Sequence, residues 1–307
     1  MTVILQPDNK NGIGLDVRII IYAMSVAVVT DSVACLPFEL AEKWNIKVVP
    51  MEITHNGRSY RDGIDLTPDH FYELLASSSR LPTTSAPSPA EYLRIFKELV
   101  SENKEVLVIC PFHKLTHVYE SATVAAGMLK EEIPGSRVEV IDSGTAAGAQ
   151  GFVVLDAARA AQEGSSLAEV LNVARETMKK VHVIVFFDTL YYIAKSGRVP
   201  YLVSWAGSLL QMKPLVEVKP LGGGVVPAGA VRTRQRAIER LLQIIQERLS
   251  KTFARIVVQH TGCIEDAEIF MQRIKDVISC SEIYIQDFTP VMGLHTGPGL
   301  LGISYCS

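Results

Sequence analysis

Val26-Ala27-Val28-Val29-Thr30-Asp31-Ser32 is an unbroken apolar run that ends in three polar residues. A short apolar run without polar alternation is the pattern of a strand buried on both faces, as in a parallel sheet. Pro37 opens a helix that runs through about Trp44, and Ile46-Lys47-Val48-Val49-Pro50 is the next strand. Together these segments begin a βαβ unit. Ligands of α/β proteins bind in the loops at the C-terminal ends of parallel strands, which is where Thr30-Asp31-Ser32 falls.

The pattern continues outward from there. Met51 to Tyr60 reads as a strand–turn–strand ribbon about Asn56-Gly57. Thr67-Pro68 caps a helix. Leu81-Pro82-Thr83-Thr84-Ser85-Ala86-Pro87-Ser88-Pro89 is a stiff loop with four hydroxyl residues among three prolines. Ser88 is the N-cap of the helix Pro89 to Val100, and Glu91 completes a capping box. A helix N-terminus beside a set of hydroxyls favours an anion. Val106 to Cys110 and Val138 to Ile141 are further buried strands. Ala146 to Gln162 is a helix whose small residues permit close packing.

The second half changes character. After a helix from Ser166 to Lys180 come a strand, Val181 to Phe187, and a turn, Lys195-Ser196-Gly197-Arg198. Tyr201 to Leu210 reads as an apolar helix. Leu215 to Lys219 and Val225 to Ala230 form a hairpin, and Thr233 to Ser250 is a long amphipathic helix. A β-α-β unit from Ala254 to Phe288 leads to a glycine-rich turn, Val291 to Leu300, and a last strand. A chain of 307 residues suits two domains. The expected fold is α/β. Residues 24–165 form a three-layer α/β/α domain with a mainly parallel sheet, and residues 166–307 form an α/β domain with a mixed sheet. Met24 is read as the natural start and residues 1–23 as an extension, with an extra edge strand as the rival reading.

Composition narrows the function. Thirty basic against 33 acidic residues leave a net charge of −3, with no basic block, so no nucleic-acid partner is expected. The five cysteines are odd in number and lack CxxC spacing, and the seven histidines are scattered. This argues for reduced thiols in a cytoplasm and against a zinc site. No apolar run is long enough to span a membrane, so no integral membrane segment is expected. Gly222-Gly223-Gly224 lacks the lysine and the strand–loop–helix setting of a phosphate loop, and HExxH, GxSxG and GxGxxG do not occur.

What remains is a set of hydroxyl-bearing loops after buried strands: Thr30-Asp31-Ser32, Thr84-Ser85, Thr116 and Ser143. Each alone is an ordinary turn or cap. Their shared place at one sheet edge makes a candidate crevice. His295, flanked by Gly293 and Gly297-Pro298-Gly299, adds a donor. Arg198, beside Gly197, reads equally as a surface or a site residue. No hydroxyl has an adjacent base in sequence, so the set suits holding an acid group better than nucleophilic catalysis. A buried carboxylate needs several donors, and these residues supply them.

In order and spacing, the chain from Val26 to Tyr305 resembles the DegV family of lipid-binding proteins. The resemblance is carried by Val28-Val29-Thr30-Asp31-Ser32, Tyr60-Arg61-Asp62-Gly63-Ile64-Asp65, Pro82-Thr83-Thr84-Ser85-Ala86-Pro87-Ser88, Tyr119-Glu120-Ser121-Ala122, Val140-Ile141-Asp142-Ser143, Ser196-Gly197-Arg198 and His295-Thr296-Gly297-Pro298-Gly299. It implies two α/β domains with an acyl chain in a tunnel, a carboxylate held through Thr84, Thr116 and His295, and Arg198 near the mouth. It also implies a partner, the catalytic subunit of a fatty acid kinase. The family's S-S-x-L-S-G-T-Y segment reads Phe112-His113-Lys114-Leu115-Thr116-His117-Val118-Tyr119 here, with threonine for serine at 116 and His117 for glycine.

The expectation is therefore a cytoplasmic carrier that is not itself an enzyme. It binds a long-chain fatty acid as ligand, without cofactor, metal or catalytic residues of its own, and presents the carboxylate to a kinase partner for acyl-phosphate formation. Ser85, Thr30, Asp31 and Ser32 join the expected ligand site, and Leu209, Leu210, Met212 and Leu215 are expected in the tunnel. The rivals are a small-molecule hydrolase or phosphotransferase using His295 and Thr116, and a carrier of another acidic lipid.

Overall fold

The computed structural model describes residues 24–78, 80–199, 211–249 and 253–307. Residues 1–23 and the expected helix Tyr201 to Leu210 lie outside them.

The opening run is β1 (Ser25–Asp31). It lies between β2 (Lys47–Val49) and β6 (Lys104–Cys110) in an all-parallel sheet that β7 (Val138–Asp142) completes. Both faces of β1 and β6 are buried, which is why they read as apolar runs. Val26, Val28, Leu107 and Ile109 face a layer formed by helices α5 (Ala147–Gln162) and α6 (Leu167–Met178). Ala27, Val29, Val106 and Val108 face α3 (Pro89–Ser101) and α4 (Val118–Glu132). The result is the expected three-layer α/β/α arrangement. Its edge carries a small antiparallel sheet, in which β3 (Glu52–His55) pairs with β4 (Arg58–Arg61) and with β5 (Thr83–Ser85).

A six-stranded mixed sheet fills the second half. Its order is β10 (Val225–Val231), β9 (Lys213–Val218), β8 (Val181–Phe186), β13 (Leu301–Cys306), β11 (Ala254–His260) and β12 (Cys280–Asp287). Only β11 and β12 run parallel. The helices Arg234–Leu249 and Ile264–Lys275 cover one face through Leu241, Ile245, Phe270 and Ile274. α5 packs against the other face and so lies between the two large sheets, buried almost all round. Its small residues make this possible, since a Cβ at Gly148 would lie 3.0 Å from Cβ of Ser304 on β13.

Two elements depart from the sequence expectation. The stretch around Thr84 is a strand, not a loop. Three residues are too few to show a strand's alternation, and the flanking Pro82 and Pro87 fit an edge strand. The expected glycine-rich turn contains a helix, Pro290–Thr296, with Thr289 as N-cap and proline in the first turn. Gly293 sits inside it and masked its start signal.

Candidate functional site

An apolar chamber lies between the layers around the parallel sheet and the six-stranded sheet. Its empty volume, open solvent at the mouth included, is about 850 Å³. Strand alternation builds one wall: Val183 and Val185 on β8, Phe187 just beyond it, and Val216 and Val218 on β9 turn the same way. The opposite wall includes Val33, Met51, Ala146, Ala147, Phe288, Val291 and Met292. Leu215, expected in the tunnel, points the other way into the core beneath the helix Arg234–Leu249. Met212 is not among the lining residues, and Leu209 and Leu210 fall outside the described ones.

Among the described residues, the polar ones that line the chamber are Thr84, Thr116, Arg198, His295 and Thr296. Thr84 comes from β5 and His295 from the last turn of the helix Pro290–Thr296, and Thr84 Oγ1 lies 3.0 Å from His295 Nε2. Burial, assisted by the positive charge of Arg198, lowers the His295 pKa to about 4. The ring is therefore neutral near pH 7, with one nitrogen donating and one accepting. His295 Nδ1 has no hydrogen-bond partner among the described residues. In either tautomer the pair presents one free donor: the Thr84 hydroxyl when Nε2 carries the proton, Nδ1–H when it does not. Arg198 Nη1 donates to the carbonyl oxygen of Leu115 at 3.0 Å, which ties the loop bearing Thr116 to the mouth.

Not every expected site residue is in this constellation. Ser85 is exposed and, as the strand neighbour of Thr84, turns away from the chamber. Thr30, Asp31 and Ser32 are buried behind the chamber rather than lining it. Thr30 Oγ1 donates to Ile109 O at 2.8 Å, and Gln150 Nε2 donates to Thr30 Oγ1 at 3.0 Å and to Asp31 Oδ2 at 3.1 Å. Asp31 also accepts from Val33 N, and Ser32 Oγ accepts from Met51 N at 3.0 Å. These bonds hold the turn from which Val33 and Met51 enter the wall. Burial pushes Asp31 up to about 7, against the lowering effect of the Val33 and Gln150 donors.

Outside the mouth runs a groove that the sequence reading missed. Arg80, Pro82, Tyr191, Tyr192, Lys195 and Ser196 line it, and Thr84, Arg198 and His295 belong to both groove and chamber. Arg80, Lys195 and Arg198 make it basic, and no carboxylate is among its described lining residues. No local spacing signals this groove, because its cations come from segments far apart in sequence. An apolar chamber, a neutral donor pair and a basic exit together suit an anion with a long apolar tail. Among the described residues no group of three or more His, Cys, Asp or Glu could hold a metal ion, and no helix is long and apolar enough to cross a membrane.

Known proteins share this architecture. A DegV domain-containing protein of Clostridium perfringens is 31% identical over 283 residues, covering 92% of this chain and 99% of its own. Protein DegV of Bacillus subtilis is 32% identical over 285 residues, covering 92% and 99%. Among solved structures, DegV of Bacillus subtilis, described as a fatty acid binding protein, superposes with a TM-score of 0.83 at 31% identity, over 92% of this chain and 99% of that one. A DegV family protein from Thermus thermophilus, described by its fatty acid binding, gives 0.83 at 30% identity, over 92% and 100%. The family model described as "Uncharacterised protein, DegV family" matches residues 25–307, and the chain belongs to the DegV family.

Proposed function

We propose that this protein binds a long-chain fatty acid, with the tail in the chamber and the carboxylate at the Thr84–His295 pair, between domains of residues 24–165 and 166–307. The carboxylate then faces the basic groove, where the catalytic subunit of a fatty acid kinase converts it to an acyl phosphate. The protein acts as a cytoplasmic carrier and leaves catalysis to the partner.

The observation that carries this reading is the place of Thr84 and His295, where an apolar chamber meets a basic groove. The fatty acid binding described for the Bacillus and Thermus relatives supports it. Each buried methylene contributes about 0.8 kcal/mol, so ~15 of them supply roughly 12 kcal/mol before the costs of association. The head group must keep its hydrogen bonds to avoid a desolvation penalty, and Thr84, His295, Thr116 and Arg198 are the donors near it. An enzyme using His295 as base fits less well. His295 meets Thr84 rather than Thr116, and its lowered pKa makes it a weak base at neutral pH.

Mass spectrometry of lipid released from the denatured, purified protein tests this reading. A co-purifying long-chain fatty acid, or saturable uptake of added palmitate or oleate, is the expected result. Absence of both overturns it, and release of a different acidic lipid supports the rival carrier.

A further inference from the structure

The helix that carries His295 is held at both ends by the same part of the N-terminal domain. At its C-terminal end His295 meets Thr84 on β5 at 3.0 Å. At its N-terminal end the backbone N–H of Val291 donates to Asp62 Oδ1 at 3.0 Å, across 229 residues of sequence. The helix's own N-cap, Thr289, makes no side-chain cap bond. Asp62 therefore supplies the acceptor that a first-turn N–H requires.

Asp62 is itself fixed. It is 2% exposed, and its N–H donates to Met51 O at 2.9 Å. Met51 immediately precedes β3, and β3 pairs with β5 through Ile53 and Thr84. Asp62 and Thr84 thus stand on one small sheet and its edge. The helix also packs closely along its length. A Cβ at Gly293 would lie 2.7 Å from the Tyr72 hydroxyl, and a Cβ at Gly297 would overlap the Tyr192 ring.

We propose that Asp62 is the positioning residue of the head-group site. By accepting from Val291 it sets the height of the helix Pro290–Thr296 along its own axis, and with it the reach of His295 to Thr84. Neighbouring residues of a helix differ in height by about 1.5 Å, so an axial slip of one residue breaks a 3.0 Å bond at the far end. Asp62 acts here as an acceptor at a fixed place, and its charge is secondary.

The proposal rests on the fatty acid reading above, and its test separates the two. The whole protein is loaded with palmitate labelled with ¹³C at the carboxyl carbon. The bound carboxyl resonance and the palmitate dissociation rate are then measured for wild type, Asp62→Ala and Asp62→Asn. Asp62→Ala is expected to move the resonance and speed dissociation about tenfold. Asp62→Asn, whose amide oxygen still accepts from Val291, keeps the wild-type resonance and a rate within about twofold. Should Asp62→Ala not fold, Asp62→Ser, whose oxygen is too short to reach, takes its place. A merely stabilising cap would lower the melting temperature and leave the bound carboxyl unmoved. An unmoved resonance in the folded alanine or serine variant overturns the proposal, as does an asparagine variant that behaves like alanine. A wild-type protein that takes up no palmitate overturns the fatty acid reading, and this proposal with it.

Discussion

Thr84 Oγ1 and His295 Nε2 lie 3.0 Å apart although 211 residues separate them in the chain. One comes from an edge strand of the small antiparallel sheet and the other from a short helix beside the six-stranded sheet. Their bond closes the junction between an apolar chamber and a basic groove, and the functional account rests on it.

Thr84→Val keeps the side-chain shape and removes the hydroxyl. We expect an unchanged circular dichroism spectrum and a palmitate Kd raised about tenfold, as for loss of one hydrogen bond to a charged group. His295→Ala is expected to act in the same direction. Because the two residues share one bond, the double variant should lose much less than the sum of the singles, which titration calorimetry of all four proteins measures.

The chamber predicts selectivity by size. Val216→Phe adds bulk to its wall, at a position that alternates with the core residue Leu215. Palmitate binding should weaken much more than binding of an eight-carbon acid, while the melting temperature of ligand-free protein stays close to wild type. Equal losses for both acids would show that the wall does not face the acyl chain.

The lowered His295 pKa has a consequence for stability. The folded protein keeps the ring neutral down to about pH 4, whereas in the unfolded chain it takes up a proton near its ordinary value of 6.5. At this residue the unfolded state therefore binds more protons between those values, and the contribution of His295 to stability falls as pH drops from 6.5 toward 4, opposite in sign to that of Asp31. His295→Gln removes this dependence. The melting temperature of wild type should drop relative to that of the variant across this window, and parallel curves would contradict the assignment.

Helix α5 should tolerate little added bulk where it crosses the second sheet. Gly148→Leu drives a side chain into Ser304, Cβ against Cβ at 3.0 Å, and should cost about 1–3 kcal/mol. Chemical denaturation would register this as a lower midpoint.

The basic groove predicts a separable defect in handover. Arg80→Glu with Lys195→Glu should leave the palmitate Kd near wild type. With the kinase partner, acyl-phosphate formation should show a KM for the loaded carrier raised about tenfold or more. A normal KM would remove the groove from the docking surface.

Much of this fold is legible in the sequence, for identifiable reasons. β1, β6 and β8 are buried on both faces and read as apolar runs, and the box formed by Ser88 and Glu91 marks the start of α3. The site is less so. As a loop, Thr84 and Ser85 look alike, and only the strand geometry turns one inward and the other to solvent. The positions of Thr30, Asp31 and Ser32 at a strand end are readable, but their orientation depends on Gln150 and on backbone partners distant in sequence. The helix bearing His295 is obscured by its glycines: Gly293 sits within it and packs against Tyr72, while Gly297, at a φ of 76°, ends it beside Tyr192. Arg80 and Lys195 converge only in the folded chain.

The most direct test is a crystal structure of the protein with a fatty acid that carries bromine on its terminal carbon. The anomalous signal locates the tail and the density locates the head. The account predicts bromine inside the chamber, among walls that include Val183, Val185 and Val216, and a carboxylate oxygen within hydrogen-bond reach of Thr84 Oγ1 or His295. Bromine at the mouth with the carboxylate inside, or a ligand bound only outside the chamber, would contradict it.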